Sequence, residues 1–298
     1  NHTQSEVDHS SHDAYARGAG AYVEDGDVNF TSCLFSGNTS YTHDYNGDGN
    51  SVGYPYGAGI YHYQGTLNLV DTEISNNVVD GYQHVSASGA GLYNEHGTTN
   101  INNCTIAENN HHGLYRNGGT INVTSSIIWY NNNDDGGSIN YNYTNRQGSP
   151  PSGVGNISLY PWFVDLNLDD YSLSPGSVCI NRGDPLLDDS DGTRRDMGVH
   201  IYEHTHYGPD WYVSPLGSFE SGDGSLGNPL SSVLAAVNLA NEGDVITLAE
   251  GTFTGMGNYN IYFLGKDVTI QSEGSAENTI IDAEGRDEDN NHLNTRRI

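Results

Sequence analysis

The chain has 298 residues, of which 38 are acidic and 10 basic, giving a formal net charge of −28, and its only lysine is Lys266. Phosphate recognition needs clustered Lys and Arg, so nucleic acid is excluded as an expected partner, and an anionic membrane surface is disfavoured for the same reason. No apolar run reaches the roughly 18 residues of a spanning helix, so no membrane insertion is expected, and three cysteines are too few for a disulfide framework.

Four stretches align without a gap, starting at Gly18, Gly57, Gly89 and His111. The first three open Gly-Ala-Gly, and the fourth keeps the frame but opens His-His-Gly. The alignment makes apolar columns: Ala21, Ile60, Leu92 and Leu114; Phe30, Leu69, Ile101 and Val123; Phe35, Ile74, Ile106 and Ile128. A weaker column is Val28, Leu67, Thr99 and Ile121, and a small-residue column is Cys33, Thr72, Cys104 and Ser126. Within a unit the apolar residues fall two apart, which is strand periodicity. Glycines at 26, 65, 97 and 119 punctuate the strands. A short unit cannot bury an apolar face alone and must stack on its neighbours. The expected fold is therefore all-β, a right-handed parallel β-helix (a solenoid), with coils about 4.8 Å apart. Each unit ends in an asparagine, Asn38, Asn77, Asn109 and Asn131, a column able to hydrogen-bond from coil to coil. Cys33 and Cys104 share a column two coils apart, roughly 9.6 Å by the strand spacing and beyond disulfide reach. Both are expected to be free, buried thiols.

The unit starts lie 39, 32 and 22 residues apart (57−18, 89−57, 111−89) around a shared core of about 21 residues. The surplus, residues 39–56 and 78–88, should leave the coils at one corner, where solenoid insertions form a binding face. Tyr22, Tyr61, Tyr93 and Tyr115 form a column expected to be a packing ladder. In the insertions, Tyr41, Tyr45, Tyr54, Tyr56, Tyr82 and His84 are the candidates for ligand contact, since an aromatic ring with a polar tip can stack on a sugar. Asp44, Asn46, Asp48 and Asn50 place oxygen ligands at alternate positions with Gly49 between, like the start of a calcium loop. Position twelve is Pro55, not Glu, so a bidentate ligand has to come from elsewhere; the alternative is an Asx-rich turn.

After Asn131 the repeat degrades through an Asn-, Gly-, Ser- and Tyr-rich stretch. The segments Ser126–Asn132, Pro161–Asp165, Tyr171–Pro185 (YSLSPGSVCINRGDP) and Asp191–Gly198 (DGTRRDMG), with the Gly-Ala-Gly-x-Tyr coils, resemble secreted bacterial β-helix proteins with a choice-of-anchor Q type domain. The likeness covers about two-thirds of the chain, and implies the fold and an extracellular or cell-surface setting but no activity. Asp188, Asp189, Asp191 and Asp196 beside Arg194 and Arg195 read as a structural carboxylate–arginine cluster, with calcium as the alternative. His200, His204 and His206 read as a solvated linker, with a metal site as the alternative. From Trp211 the chain resembles the opening of a second module of the same kind: a short amphipathic capping helix over Pro229–Asn241, then strands at Asp244–Ala249, Val268–Gln271 and Thr279–Asp282. The expected division is residues 1–206 and 207–298. The order of coils, closing segment and opening segment reads as a window across tandem modules or one unit of a longer polymer, with a truncated fragment as the alternative. Open coil ends would then pair with copies of the same chain, head to tail.

A lyase would need Arg, Lys or calcium to stabilise developing charge, and the coils offer only Arg17 and Arg116, with Arg146 just after. A glycosidase needs two carboxyls across the bond, and Asp134–Asp135 and Asp169–Asp170 read as acidic pairs at turns. The expected function is a non-catalytic extracellular scaffold or adhesin, with extracellular glycans as further partners and a polysaccharide-degrading enzyme as the alternative. Calcium is the one cofactor considered.

Overall fold

The computed structural model describes residues 2–7, 14–44, 52–82, 85–219, 221–263 and 265–284. The chain divides into two compact units, one of residues 1–161 and 182–200, the other of residues 162–181 and 201–298.

In the first unit the described strands are short and pair in parallel, and the chain visits three sheets in turn. Ala21–Val23, Ile60–His62, Leu92–Asn94, His112–Arg116 and Asn133–Gly136 form the first wall. Asp27–Thr31, Thr66–Val70, Thr98–Asn102, Thr120–Thr124 and Asn140–Asn142 form the second. Leu34–Ser36, Glu73–Ser75, Thr105–Ala107, Ile127–Trp129 and Asn145–Arg146 form the third. The register carries no slip between repeats. Phe30 pairs with Leu69, Leu69 with Ile101, Ile101 with Val123 and Val123 with Tyr141. Stacking like on like removes Ile60, Leu67, Leu69, Ile74, Leu92 and Ile106 from solvent entirely. Each such burial contributes about 1.5–3 kcal/mol against the entropy of ordering short strands.

The chain makes one more circuit than its repeat pattern implies. Residues 133–146 continue all three walls in register, although the sequence pattern degrades there. The inward columns end on this circuit in Asp135, Tyr141 and Arg146, which replace apolar residues. Arg146 Nη1 donates to Asp135 Oδ1 at 2.7 Å, and the Tyr141 hydroxyl donates to Asp135 Oδ2 at 2.5 Å. A hydrogen-bonded polar triad thus closes the apolar stack, and it hides the circuit from a hydrophobicity pattern.

The asparagine column is a ladder. The backbone N–H and Nδ2 of Asn38 both donate to Asn77 Oδ1, those of Asn77 to Asn109 Oδ1, and those of Asn109 to Asn131 Oδ1, at 2.8–3.2 Å. The second glycine of each Gly-Ala-Gly seats this ladder: a Cβ on Gly59 would strike the carbonyl oxygen of Gly91 and approach Asn77 Nδ2 at 3.1 Å. The first glycine instead takes positive φ, as at Gly57 (+56°), a conformation open to glycine at little cost. His111 replaces it in the fourth unit and is not among the positive-φ residues. A second ladder runs on the outer side of the second wall through Asn29, Asn68, Asn100, Asn122 and Asn140, each amide donating to the previous asparagine at 2.8–2.9 Å.

Residues 182–200 lie along the outer side of the third wall. Asp184 N–H donates to Ser125 Oγ, Gly198 N–H to the Ser125 carbonyl and Val199 N–H to Thr105 Oγ1. Gly198 sits against Ile127, whose side chain is fully buried although it points outward. Cys33 and Cys104 are both free. Cys104 is buried as expected, but Cys33 is half-exposed, because its strand lies at the edge of the third wall with a neighbour on one side only among the described residues.

In the second unit, Asp210–Ser218, Val245–Leu248 and Thr269–Ser272 form a parallel sheet, and Gly251–Phe253 pairs with Thr279–Ile281. The strands fall where the sequence places them. The helix is shorter, Val233–Leu239, and not amphipathic: all seven residues are buried. Its ends are satisfied by side chains. Ser232 Oγ accepts from Ala235 N–H and Asn258 Oδ1 from Val233 N–H. Lys266, the one lysine, donates to the carbonyls of Val237, Asn238 and Ala240 at the C-terminal end, where a cation also suits the helix dipole.

Candidate functional site

Both insertions leave the first unit at one corner and build a finger of two thin sheets. Strands His2–Val7, Thr39–Asp44 and Val78–Tyr82 form the outgoing sheet. Ala14–Arg17 and Gly53–Tyr56 return, with bridges from Gly53 to Val85 and from Tyr56 to Ser88. Alternate residues turn inward, and these are small: Ala14, Ala16, Ser40, Thr42 and Val79 are buried. Small residues bring the two sheets close, so the remaining alternate positions stand on opposite outer faces.

The outgoing face carries Tyr41, His43 and Tyr82. His43 stacks on Tyr82 at 5.0 Å and on Tyr41 at 6.4 Å between ring centroids. The return face carries Tyr15, Arg17, Tyr54 and Tyr56, and it joins the first wall. Tyr15 stacks on Tyr54 at 5.0 Å, Tyr54 tilts against Tyr56 at 5.8 Å, and Tyr56 stacks on Tyr93 at 4.4 Å. Tyr93 belongs to the expected column, in which Tyr22, Tyr61, Tyr93 and Tyr115 stack in sequence at 5.2–5.4 Å. The ladder and the insertion tyrosines are thus one continuous aromatic surface. Its inner members, Tyr61 and Tyr93, are buried, while Tyr15 and Tyr22 are 46% and 47% exposed. Burial pushes the Tyr56 hydroxyl up to about 12, and Tyr61 and Tyr93 upward as well, so these hydroxyls remain protonated donors at neutral pH. The Tyr61 hydroxyl uses its proton on Glu95 Oε2 at 2.8 Å.

Of the insertion residues singled out by sequence, Tyr54 and Tyr56 come together on the return face, while Tyr41 and Tyr82 lie on the other face. Tyr45, His84, Asn46, Asp48 and Asn50 fall outside the described residues, and Asp44 is placed only by its backbone, at the end of the outgoing strand. Tyr15 and Arg17 were not singled out. Their signal is present, since Ala-Tyr-Ala-Arg at 14–17 pairs residue by residue with Gly-Tyr-Pro-Tyr at 53–56.

The other sequence candidates resolve separately. Arg195 pairs with Asp189 at 3.6 Å and with Asp71 at 3.8 Å, whereas Arg194 donates to the Gly183 carbonyl and Asp191 closes a turn onto Thr193. His200 Nε2 meets Glu73 Oε2 at 3.1 Å, His204 stacks near Tyr207, and His206 Nε2 meets the Asp210 carbonyl. Among the described residues no three His, Cys, Asp or Glu side chains are grouped to hold a metal.

Asp134 and Asp135 do not lie at a turn off the coil faces. Both sit in the first wall, and with Arg146 and Asn131 they line a polar cavity of about 340 Å³. Burial pushes the Asp134 carboxyl up to about 7. Asp135 is held by Arg146 and Tyr141, and Asp134 accepts from Asn131 Nδ2 at 3.3 Å. Asp169, by contrast, does end a turn, in left-handed conformation after the short helix Leu166–Leu168.

No family model, curated protein or solved structure matches the chain. The chemistry of the site therefore rests on its own geometry.

Proposed function

We propose that the first unit is a right-handed parallel β-helix and that the chain serves as a non-catalytic extracellular scaffold or adhesin, binding glycans on the return face of its finger. Three walls visited in turn with unbroken register support the β-helix, and parallel crossovers are right-handed in nearly all sheets. The observation that carries the functional reading is the aromatic surface from Tyr15 through Tyr54, Tyr56 and Tyr93 to Tyr22. Tyrosines presented at a corner by a stiff scaffold bind planar apolar faces with little entropy to lose. A glycan array, run with and without calcium, tests it: hits that disappear in the Tyr15→Ala/Tyr22→Ala variant support the reading, and an array without hits overturns it.

The enzymatic alternative has one observation in its favour, the raised Asp134 carboxyl in a polar cavity. Asp135, however, is engaged on both oxygens by Arg146 and Tyr141, which leaves no second free carboxyl beside Asp134 to flank a bond as a glycosidase requires. New reducing or unsaturated ends released from polysaccharides by the wild type, but not by Asp134→Asn, would establish that alternative.

A further inference from the structure

Arg17 stands on the return face with its guanidinium carbon 4.5 Å from the centre of the Tyr15 ring and 5.1 Å from that of Tyr61. Four other arginines of the first unit turn their guanidinium groups to protein partners: Arg116 to the Gly119 carbonyl, Arg146 to Asp135, Arg194 to the Gly183 carbonyl and Arg195 to Asp189. Arg17 has neither kind of partner: among the described residues no carbonyl and no carboxylate meets its guanidinium, which is held only against the two rings. The acid nearest in the aromatic surface, Glu95, is already engaged, with Oε2 accepting from Tyr61 and Oε1 from Asn117.

We propose that Arg17 reads a carboxylate on a glycan, so that the return face of the finger binds sugar chains bearing uronic acids. The inference rests on the glycan-binding reading above and specifies its ligand. A guanidinium presents a planar fork of donors that fits a carboxylate with two parallel bonds, a geometry an ammonium lacks. The Tyr15 and Tyr61 rings hold that fork by cation–π contact and limit its rotation. Exposed Tyr15 and Tyr22 offer stacking surface beside it for the sugar rings. The strongly negative chain does not forbid this partner, because at physiological salt charges beyond about 8 Å are largely screened, and the charge at the contact is that of Arg17.

The test compares oligogalacturonate with its methyl-esterified form, which keeps the rings and removes the charges, by calorimetry on the full chain. Wild type is expected to bind the acid at least about tenfold more tightly than the ester, the scale of one charge-assisted pair. Arg17→Gln should abolish that preference, and Tyr15→Ala should weaken both forms. Arg17→Lys keeps the charge without the fork, so it should retain only part of the preference; it also serves if the glutamine variant does not fold, as read by circular dichroism. Equal binding of acid and ester by wild type, or a preference that survives in Arg17→Gln, overturns the proposal while leaving a neutral-glycan face intact if Tyr15→Ala still weakens both. If neither form binds, the proposal is overturned as well, and the glycan array then decides the broader reading. Competition by poly-glutamate as strong as that by oligogalacturonate would reassign the site to acidic peptides and overturn the sugar.

Discussion

At the residue scale, stability turns on polar groups that stacking has taken out of water. Asn77 is wholly buried; its Oδ1 accepts two bonds from Asn38, while its Nδ2 donates to Asn109 and to the Phe35 carbonyl. Asn77→Ala leaves the donors of Asn38 without their acceptor, so the loss should be about 2–3 kcal/mol rather than the roughly 1 kcal/mol of an average bond. The expected reading is a lower urea midpoint for the first unit with an unchanged slope. Asp134 works in the opposite sense. Its folded carboxyl, pushed up to about 7, keeps a proton that the unfolded chain has released, so stability falls as pH rises from about 4 to about 7. Burial also lowers the pKa of His62, and that of His112 to about 4. Those imidazoles contribute stability above about pH 6.5 that is lost as pH falls. The two effects oppose each other in wild type. Asp134→Asn keeps the acceptor for Asn131 and removes the acid, so it should gain about 1–3 kcal/mol at about pH 8 and nothing near pH 4. The stability difference between the variant and wild type should therefore grow with pH, and paired melting series across this range check the sign.

At the element scale, what repeats is legible and what merely stacks is not. The apolar columns and the inner asparagine column could be read because each recurs in frame at a position that points inward. Gly59 shows how strict that frame is. Alanine there would drive its Cβ into the Gly91 carbonyl beside the Asn77 amide, both fixed by their own bonds, so overpacking should cost about 1–3 kcal/mol. Gly227→Ala, with open space around it, should stay within about 0.5 kcal/mol, and chemical denaturation of the two variants separates the cases. The fifth circuit escaped the pattern because Asp135, Tyr141 and Arg146 bond to one another and present no apolar period. The finger escaped as a structure because its interior is Ala, Ser, Thr and Gly, which differ too little in hydropathy from an Asn-rich loop. That is also why Arg17 and Tyr15 went unselected while Tyr54 and Tyr56, in a recognisable insertion, did not. The outer asparagine column of Asn29, Asn68 and Asn100 was equally periodic, but polar residues on an outward face carry no expectation of order until their amides are seen to bond. The helix was read too long and too polar because Val233–Leu239, buried on every side, has no solvent face to set its limits.

At the scale of the whole molecule the dominant quantity is the charge of −28. Among the described residues few carboxylates meet a basic side chain: Asp135, Asp71 and Asp189 meet arginines, and Glu73 and Glu95 meet histidines. The remaining acids repel one another more in the compact state than in an expanded chain, so folding works against its own charge at low salt. Screening shortens that repulsion from about 30 Å at 0.01 M to about 3 Å at 1 M ionic strength. Melting should therefore move upward as sodium chloride is raised across this range, in both units, with the two followed separately because a single two-state transition is not assumed. The few ion pairs would lose strength in the same titration, but surface pairs contribute about 0–1 kcal/mol each and are outnumbered by the remaining acids. A midpoint that falls with salt would mean that those pairs, not the net charge, govern stability. Calcium chloride at matched ionic strength adds the discriminating arm. Screening alone predicts no difference between the two salts, whereas a cation held by a built site stabilises by mass action, with a midpoint that keeps rising with calcium concentration. That excess should vanish in Asp44→Asn/Asp48→Asn if the inserted loop is the site, and persist there if the cation is held elsewhere.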